Sequence, residues 1–340
     1  MKPSHVASAL RTCFAVQQPA FLWGPPGAGK SDVVAQIAAS LGYELRDVRL
    51  SLCDPTDLKG FPTIDKDLNQ MVWIPADFLP PMMVKKGNKL VPNESKGILF
   101  LDEMNQAPQA VQGAAYQLTL DRRIANYILP ANWVIVAAGN RSSDRSIAHA
   151  QPAALSNRFM HIDFEVNMDD WYNWATTNNI SPLTRAFIRF RPNLLHSFDA
   201  ATNPRAFPTP RSWSFVDRIV GQGLDTAIEF ELIKGTVGEG AAAEYQAFVK
   251  LAKDLPSIDQ ILMAPEKTEL PKSPAAMYAI CTALDKKTNQ NNVDRVLKYV
   301  GRMPTEYQVL FLRSTLLASP DVAQTKAFTE WVAENQAVLQ

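Results

Sequence analysis

Short apolar runs without alternation recur along the first half of the chain: Ala20-Phe21-Leu22-Trp23, Ile98-Leu99-Phe100-Leu101, and residues 133–138. Each predicts a strand buried on both faces. Residues 43–50 mix apolar and charged positions and suggest a second strand, and residues 160–164 supply a final one. Helical spacing separates these runs. Val33, Val34, Ile37, Ala38 and Leu41 share one face after the first strand, and Val6, Leu10, Cys13 and Phe14 share one over residues 4–16, where Ser4 can cap. Residues 104–120 also read as a helix, with Ala107-Pro108 marking its first turn. Residues 120–130 suggest a short hairpin that exposes Arg122 or Arg123.

Between residues 60 and 97 the pattern breaks up. Met71-Val72-Trp73-Ile74 suits one arm of a hairpin, and Pro75, Pro80, Pro81 and Pro92 exclude a long helix. Two readings stand side by side: a surface excursion packing Trp73 and Phe78 on the core, or a functional insertion projecting toward a central pore. The second half reads as helical throughout. Asn167 caps a helix with Trp171 and Trp174 on one face. Thr209-Pro210 starts another, whose stripe is Trp213, Val216, Ile219 and Val220. After a proline-rich linker over residues 255–274, residues 293–300 and 307–317 carry two further helical patterns.

A chain of 340 residues with 46% apolar content can bury a large core in two or three domains. Its 34 basic residues balance its 34 acidic ones, so no overall field attracts nucleic acid or an anionic membrane. Cys13, Cys53 and Cys281 are scattered without metal-ligand spacing, and His5, His149, His161 and His196 are equally dispersed. No apolar stretch is long enough to span a membrane, and the N-terminus lacks a leader pattern. A cytoplasmic protein with reduced thiols is the expectation.

Two stretches carry chemistry. Gly24-Pro25-Pro26-Gly27-Ala28-Gly29-Lys30-Ser31 fits the phosphate-loop pattern at every fixed position, between a predicted strand and a predicted helix. Its backbone N–H groups and the following helix N-terminus suit a polyphosphate. Lys30 is placed for the β and γ phosphates and Ser31 for magnesium. Asp102 and Glu103 end the strand at residues 97–101, where ligands bind in open α/β sheets. Asp102 suits the magnesium shell. Glu103 can activate a water and argues for turnover rather than binding alone. Asn140, at the end of the strand over residues 133–138, suits either a contact to the attacking water or γ phosphate or a plain turn.

The ordered set GPPGAGKS, GILFLDEMNQAP, VIVAAGN and ALSNRF resembles the AAA+ ATPases, and within them the MoxR-type branch, over about residues 19–165. The resemblance implies a P-loop AAA+ core, a parallel sheet flanked by helices, over residues 1–165 with an insertion at about 60–97. It further implies an all-α lid over residues 166–254, followed by a C-terminal linker and helical extension over residues 255–340. It makes Lys30 and Ser31 Walker A, Asp102 and Glu103 Walker B, and Asn140 sensor 1. Arg158 matches the arginine finger given to a neighbouring subunit, with Arg141 and Arg145 nearby to assist or replace it. Arg211 matches sensor 2, with Arg205 as its competitor. ATP and Mg2+ are the implied ligands, a hexameric ring the implied assembly, and a von Willebrand factor A domain protein the implied partner.

Three functions follow from these residues. The leading one is a ring-shaped ATPase that remodels a client protein or complex. The second is a nucleic-acid-directed motor or loader, for which Arg185, Arg189, Arg191 and Arg205 form the candidate basic cluster. The third, a nucleotide-gated scaffold with little hydrolysis, is weakened by Glu103.

Overall fold

The computed structural model describes residues 1–67, 69–141, 156–199 and 205–334. Packing divides the chain into two units, Met1–Val166 and Asn167–Gln340. The first is built on five parallel strands: β1 (Ala20–Trp23), β2 (Glu44–Arg49), β7 (Gly97–Asp102), β10 (Trp133–Gly139) and β11 (Met160–Asp163). Their order across the sheet is β11-β1-β10-β7-β2. The apolar runs become the three central strands because only there are both faces covered. The pleat then divides each run between two cores. Trp133, Ile135 and Ala137 face one side with Phe21, Leu99 and Leu101. Val134, Val136 and Ala138 face the other with Ala20, Leu22, Ile98 and Phe100.

Helices α1 (Pro3–Ala15) and α2 (Lys30–Leu41) cover the second of these faces through Val6, Leu10, Val34 and Ile37. Helix α4 (Gln109–Asp121) covers the first through Val111, Ala115 and Leu118, helped by Leu58 of α3 (Pro55–Lys59) and by Leu79. Two helix starts differ from expectation. Lys2, not Ser4, occupies the cap position of α1, because Pro3 sits in the first turn where its missing N–H costs nothing. The helix expected from residue 104 begins only after Pro108. Ala107 is extended there, as the residue before a proline prefers, and Met104–Gln106 forms a separate 3-10 turn.

The irregular excursion is more ordered than its prolines suggest. It contains two antiparallel hairpins, β3 (Phe61–Asp65) with β4 (Gln70–Ile74), and β5 (Met83–Lys86) with β6 (Lys89–Pro92). Both lie between β2 and β7, which are neighbours in the sheet. The hairpin expected near residue 125 forms as β8 (Arg123–Ile124) and β9 (Tyr127–Ile128). Arg123 is exposed. Arg122 instead turns inward and donates to the carbonyls of Pro130 and Trp133 at 3.0 and 2.7 Å, tying the hairpin to β10.

Among its described residues the second unit holds helices and no strand: α5 (Met168–Thr177), α6 (Pro182–Phe190), α7 (Pro210–Val220), α8 (Thr226–Val237), α9 (Glu239–Lys253), α10 (Ile258–Met263), α11 (Pro274–Lys287), α12 (Val293–Val300), α13 (Thr305–Ala318) and α14 (Lys326–Glu334). Asn167 caps α5 and Thr209 caps α7, each accepting a backbone N–H with its side chain. The stretches on either side of residue 255 pack together, α11 lying against α6. At that contact Asp285 is fully buried between Arg185, 3.4 Å away, and the Tyr172 hydroxyl, which donates to it at 2.9 Å. Among the described residues no helix is long and apolar enough to cross a membrane.

Candidate functional site

The C-terminal ends of β1, β7 and β10 bring five of the sequence-predicted side chains together. β1 runs directly into the phosphate loop, where Gly27 and Gly29 take φ of 70° and 96°, a region closed to most side chains. That conformation turns the loop back over the start of α2. Gly29 is the helix cap, so the first N–H groups of α2 open toward the loop.

Lys30 is 9% exposed and lies inside this loop. Its ammonium donates to the carbonyls of Gly24 and Pro25 at 2.7 and 3.0 Å and to Asn140 Oδ1 at 2.9 Å. The Ser31 hydroxyl donates to Asp102 Oδ2 at 2.8 Å, joining the end of one strand to the first turn after another. The other Asp102 oxygen accepts the Glu103 N–H at 2.9 Å. This last bond accompanies an unusual backbone: Glu103 has φ 55°, left-handed for a residue with a side chain. Such a conformation costs about 1–3 kcal/mol and is found where surrounding contacts require it. Here it directs the Glu103 carboxylate to Ser51, whose hydroxyl donates to Oε2.

Acidic groups are concentrated at this end of the sheet. The Asp47 carboxyl is pushed above its ordinary value, first by desolvation and then by the charge of Asp102 and Glu103, with Arg49 pulling the other way. A cation would relieve that repulsion. Among the described residues no three His, Cys, Asp or Glu side chains gather into a metal cage. A serine hydroxyl beside one carboxylate fits magnesium instead, which takes few protein ligands and completes its shell with phosphate oxygens and water.

Arg141 pairs with Asp163 of β11 at 3.1 Å. Arg158 is exposed, and among the described residues its guanidinium has no ion pair. Its neighbour Phe159 is buried edge-on against Phe21, and Gln18 donates to the Arg158 carbonyl at 2.7 Å, so the backbone on either side of the guanidinium is anchored. Arg211 is exposed in the first turn of α7, and Arg205 is exposed just before that helix; both belong to the second unit. Arg145 and the first two residues of the ALSNRF stretch lie outside the described residues.

The candidate basic cluster is largely consumed by internal contacts. Arg185 is buried against Asp285, Arg189 stacks on the Tyr172 ring at 3.6 Å, and Arg191 pairs with Glu244 at 2.7 Å. Among the described residues, Arg205 is the one of the four without such a contact.

Two residues of the site escaped the sequence reading. Ser51 follows β2, and only the sheet order sets it beside β7. Asn105 is 2% exposed in the turn after Glu103 and donates to the Asn140 carbonyl at 2.6 Å. Its place two residues after the Asp-Glu pair was the one available signal.

Residues 19–159 match the family described as AAA domain, dynein-related subfamily. Midasin of Giardia intestinalis is 31% identical over 189 residues, which cover 52% of this chain and 4% of midasin. Among solved structures, the RuvB Holliday junction branch migration motor of Thermotoga maritima is 17% identical, with 78% of this chain and 75% of that one covered at a TM-score of 0.38. NtrX of Brucella abortus is 16% identical, with 90% and 67% covered at a TM-score of 0.39. Residues 19–159 of the first unit are thus similar to an AAA domain, and the motifs of that match lie on the strand ends described above.

Proposed function

We propose that this chain hydrolyses ATP as a MoxR-type AAA+ ATPase and works in a ring, a hexamer, as a remodelling chaperone on a client protein or complex. The observation that carries the reading is the convergence on one point of Ser31, Asp102 and Glu103, with Lys30 and Asn140 joined beside them. Backbone N–H groups of residues 27–31 hold the phosphates, and Lys30 exchanges its carbonyl partners for β and γ oxygens. Ser31 and Asp102 would hold Mg2+, which would supply positive charge against the phosphates. Glu103 accepts a proton from the attacking water, and Asn140 orients that water or the γ phosphate.

Arg158 acts on the nucleotide of the neighbouring subunit, where a guanidinium stabilises charge developing in the transition state. Its exposure, its anchored backbone and its lack of an ion pair among the described residues support that role. Arg141, already held by Asp163, is the weaker candidate. Arg211 acts as sensor 2 in preference to Arg205, since the capped first turn of α7 fixes its position. A von Willebrand factor A domain protein is the proposed partner, and the cytoplasm the proposed location. Nucleic acid is not the favoured substrate, given where Arg185, Arg189 and Arg191 point.

The Glu103→Gln variant tests the reading. It is expected to bind ATP normally while phosphate release falls about 10²–10⁴-fold, and to retain a client protein when recovered from native extract with ATP. Unchanged turnover would remove Glu103 from the chemistry. Recovery of nuclease-sensitive nucleic acid in place of protein would favour a motor on nucleic acid.

A further inference from the structure

The carboxamide of Asn105 is bonded at one end only. Its Nδ2 donates to the Asn140 carbonyl at 2.6 Å, whereas its Oδ1 is buried with no hydrogen-bond partner among the described residues. Buried acceptors are normally paired, so an orphan one marks a position where packing alone does not explain the residue. A leucine would fill the same volume without leaving a polar atom unpaired. What it cannot do is hold the Asn140 carbonyl.

The chain also makes room for this side chain. An ideal Cβ on Gly139 would lie 2.2 Å from Asn105 Oδ1 and 2.8 Å from its Cγ. Any other residue at 139 would therefore expel the carboxamide or be expelled by it. Gly139 is the last residue of β10, and Asn140 follows it. Asn105 in turn lies two residues after Glu103, in the 3-10 turn that the left-handed Glu103 caps, and Met104 between them is wholly buried. A continuous path results: the Glu103 turn, the Asn105 carboxamide, the Asn140 backbone, and the Asn140 side chain bonded to Lys30.

We propose that Asn105 is a positioning residue, which with Gly139 latches the Asn140 peptide to the turn carrying Glu103 so that the water-activating carboxylate and the Asn140 carboxamide keep one fixed spacing. The inference rests on the ATPase reading above. It gives the two residues different duties: Asn105 touches neither phosphate nor water, and acts only through the direction it imposes on Asn140.

The test compares the unmodified chain with Asn105→Ala, Gly139→Ala and the double variant. Steady-state phosphate release gives kcat, a fluorescent ATP analogue with Mg2+ gives affinity, and thermal unfolding reports stability. Asn105→Ala is expected to lower kcat by up to about 10²-fold, the scale of an ångström-level misplacement, while nucleotide affinity stays within about threefold. Gly139→Ala should do the same, because its methyl group displaces the Asn105 carboxamide. The double variant should lose no more than either single one, since both changes remove a single contact. A purely structural Asn105 would lower the unfolding temperature and leave kcat within about twofold, and that result overturns the latch. So does a double variant whose loss is the product of the single losses. If Gly139→Ala does not fold, Asn105→Ala alone still decides. Absence of hydrolysis by the unmodified chain is a separate outcome, which overturns the ATPase reading and the latch with it.

Discussion

At the scale of single residues, the site depends on a few side chains held in conformations that cost free energy. Glu103 is the clearest. Its left-handed backbone is stabilised by the Asp102 carboxylate accepting its N–H and by Ser51 donating to its side chain. Ser51→Ala removes that second restraint without touching the phosphate loop. Turnover is expected to fall about tenfold, less than for Glu103→Gln, with ATP affinity unchanged; equal turnover in steady-state phosphate release would show that Ser51 does not orient the carboxylate. The Walker residues were legible because their chemistry is local: a loop of fixed spacing, and two acids at the end of an apolar run. Ser51 and Asn105 were not. The first is brought to Glu103 by the pairing of β2 with β7, and the second by a contact across 35 positions.

Elements were legible where the apolar pattern had a reason to be continuous. β7 and β10 are buried on both faces, so their runs mark them plainly. The hairpins between β2 and β7 were obscured for the opposite reason: Phe61, Ile64, Met71 and Ile74 are all more than half exposed, so no single-faced alternation reports them. Proline then suggested irregularity where it only limits helix. The start of α4 lies later than its apolar spacing predicts because Pro108 holds Ala107 extended and so stays outside the first turn. Among the helices of the second unit, the contact of α6 with α11 carries a buried ion pair, Arg185 and Asp285, at 4% and 0% exposure. Burial pushes the Asp285 carboxyl up, and Arg185 and the Tyr172 hydroxyl pull it back. Asp285→Ala leaves Arg185 buried without its counter-charge and is expected to destabilise the unit by about 3–5 kcal/mol. Chemical denaturation reads this directly; a loss below 1 kcal/mol would mean that water replaces the carboxylate.

At the scale of the whole molecule, burial also governs the cysteines. Cys281 is fully buried and its thiol is pushed up to about 12 by desolvation. Cys13 is buried and raised for the same reason; the Cys53 thiol is also raised, by desolvation and then by Asp57 and Asp54, but it alone of the three is partly exposed to a reagent. A thiol reagent at neutral pH is expected to modify Cys53 in the folded protein, and Cys13 and Cys281 only on unfolding. Rapid reaction of all three would show that both units open readily. Assembly is where the sequence said least. Arg158 is exposed on its own chain, so the proposed ring must supply its target from a neighbour, and a head-to-tail interface is what closes such a ring.

Subunit mixing addresses that claim most directly. Arg158→Ala and Glu103→Gln are each expected to be inactive alone. Mixed in equal amounts and allowed to exchange, half of the subunits keep Glu103, and half of those meet a neighbour that keeps Arg158, so about one quarter of the sites are intact under random heterologous assembly. Recovery of about a quarter of the unmodified turnover is the predicted result. No recovery above the two variants measured separately, under conditions where exchange is demonstrated, would contradict an Arg158 that acts across subunits.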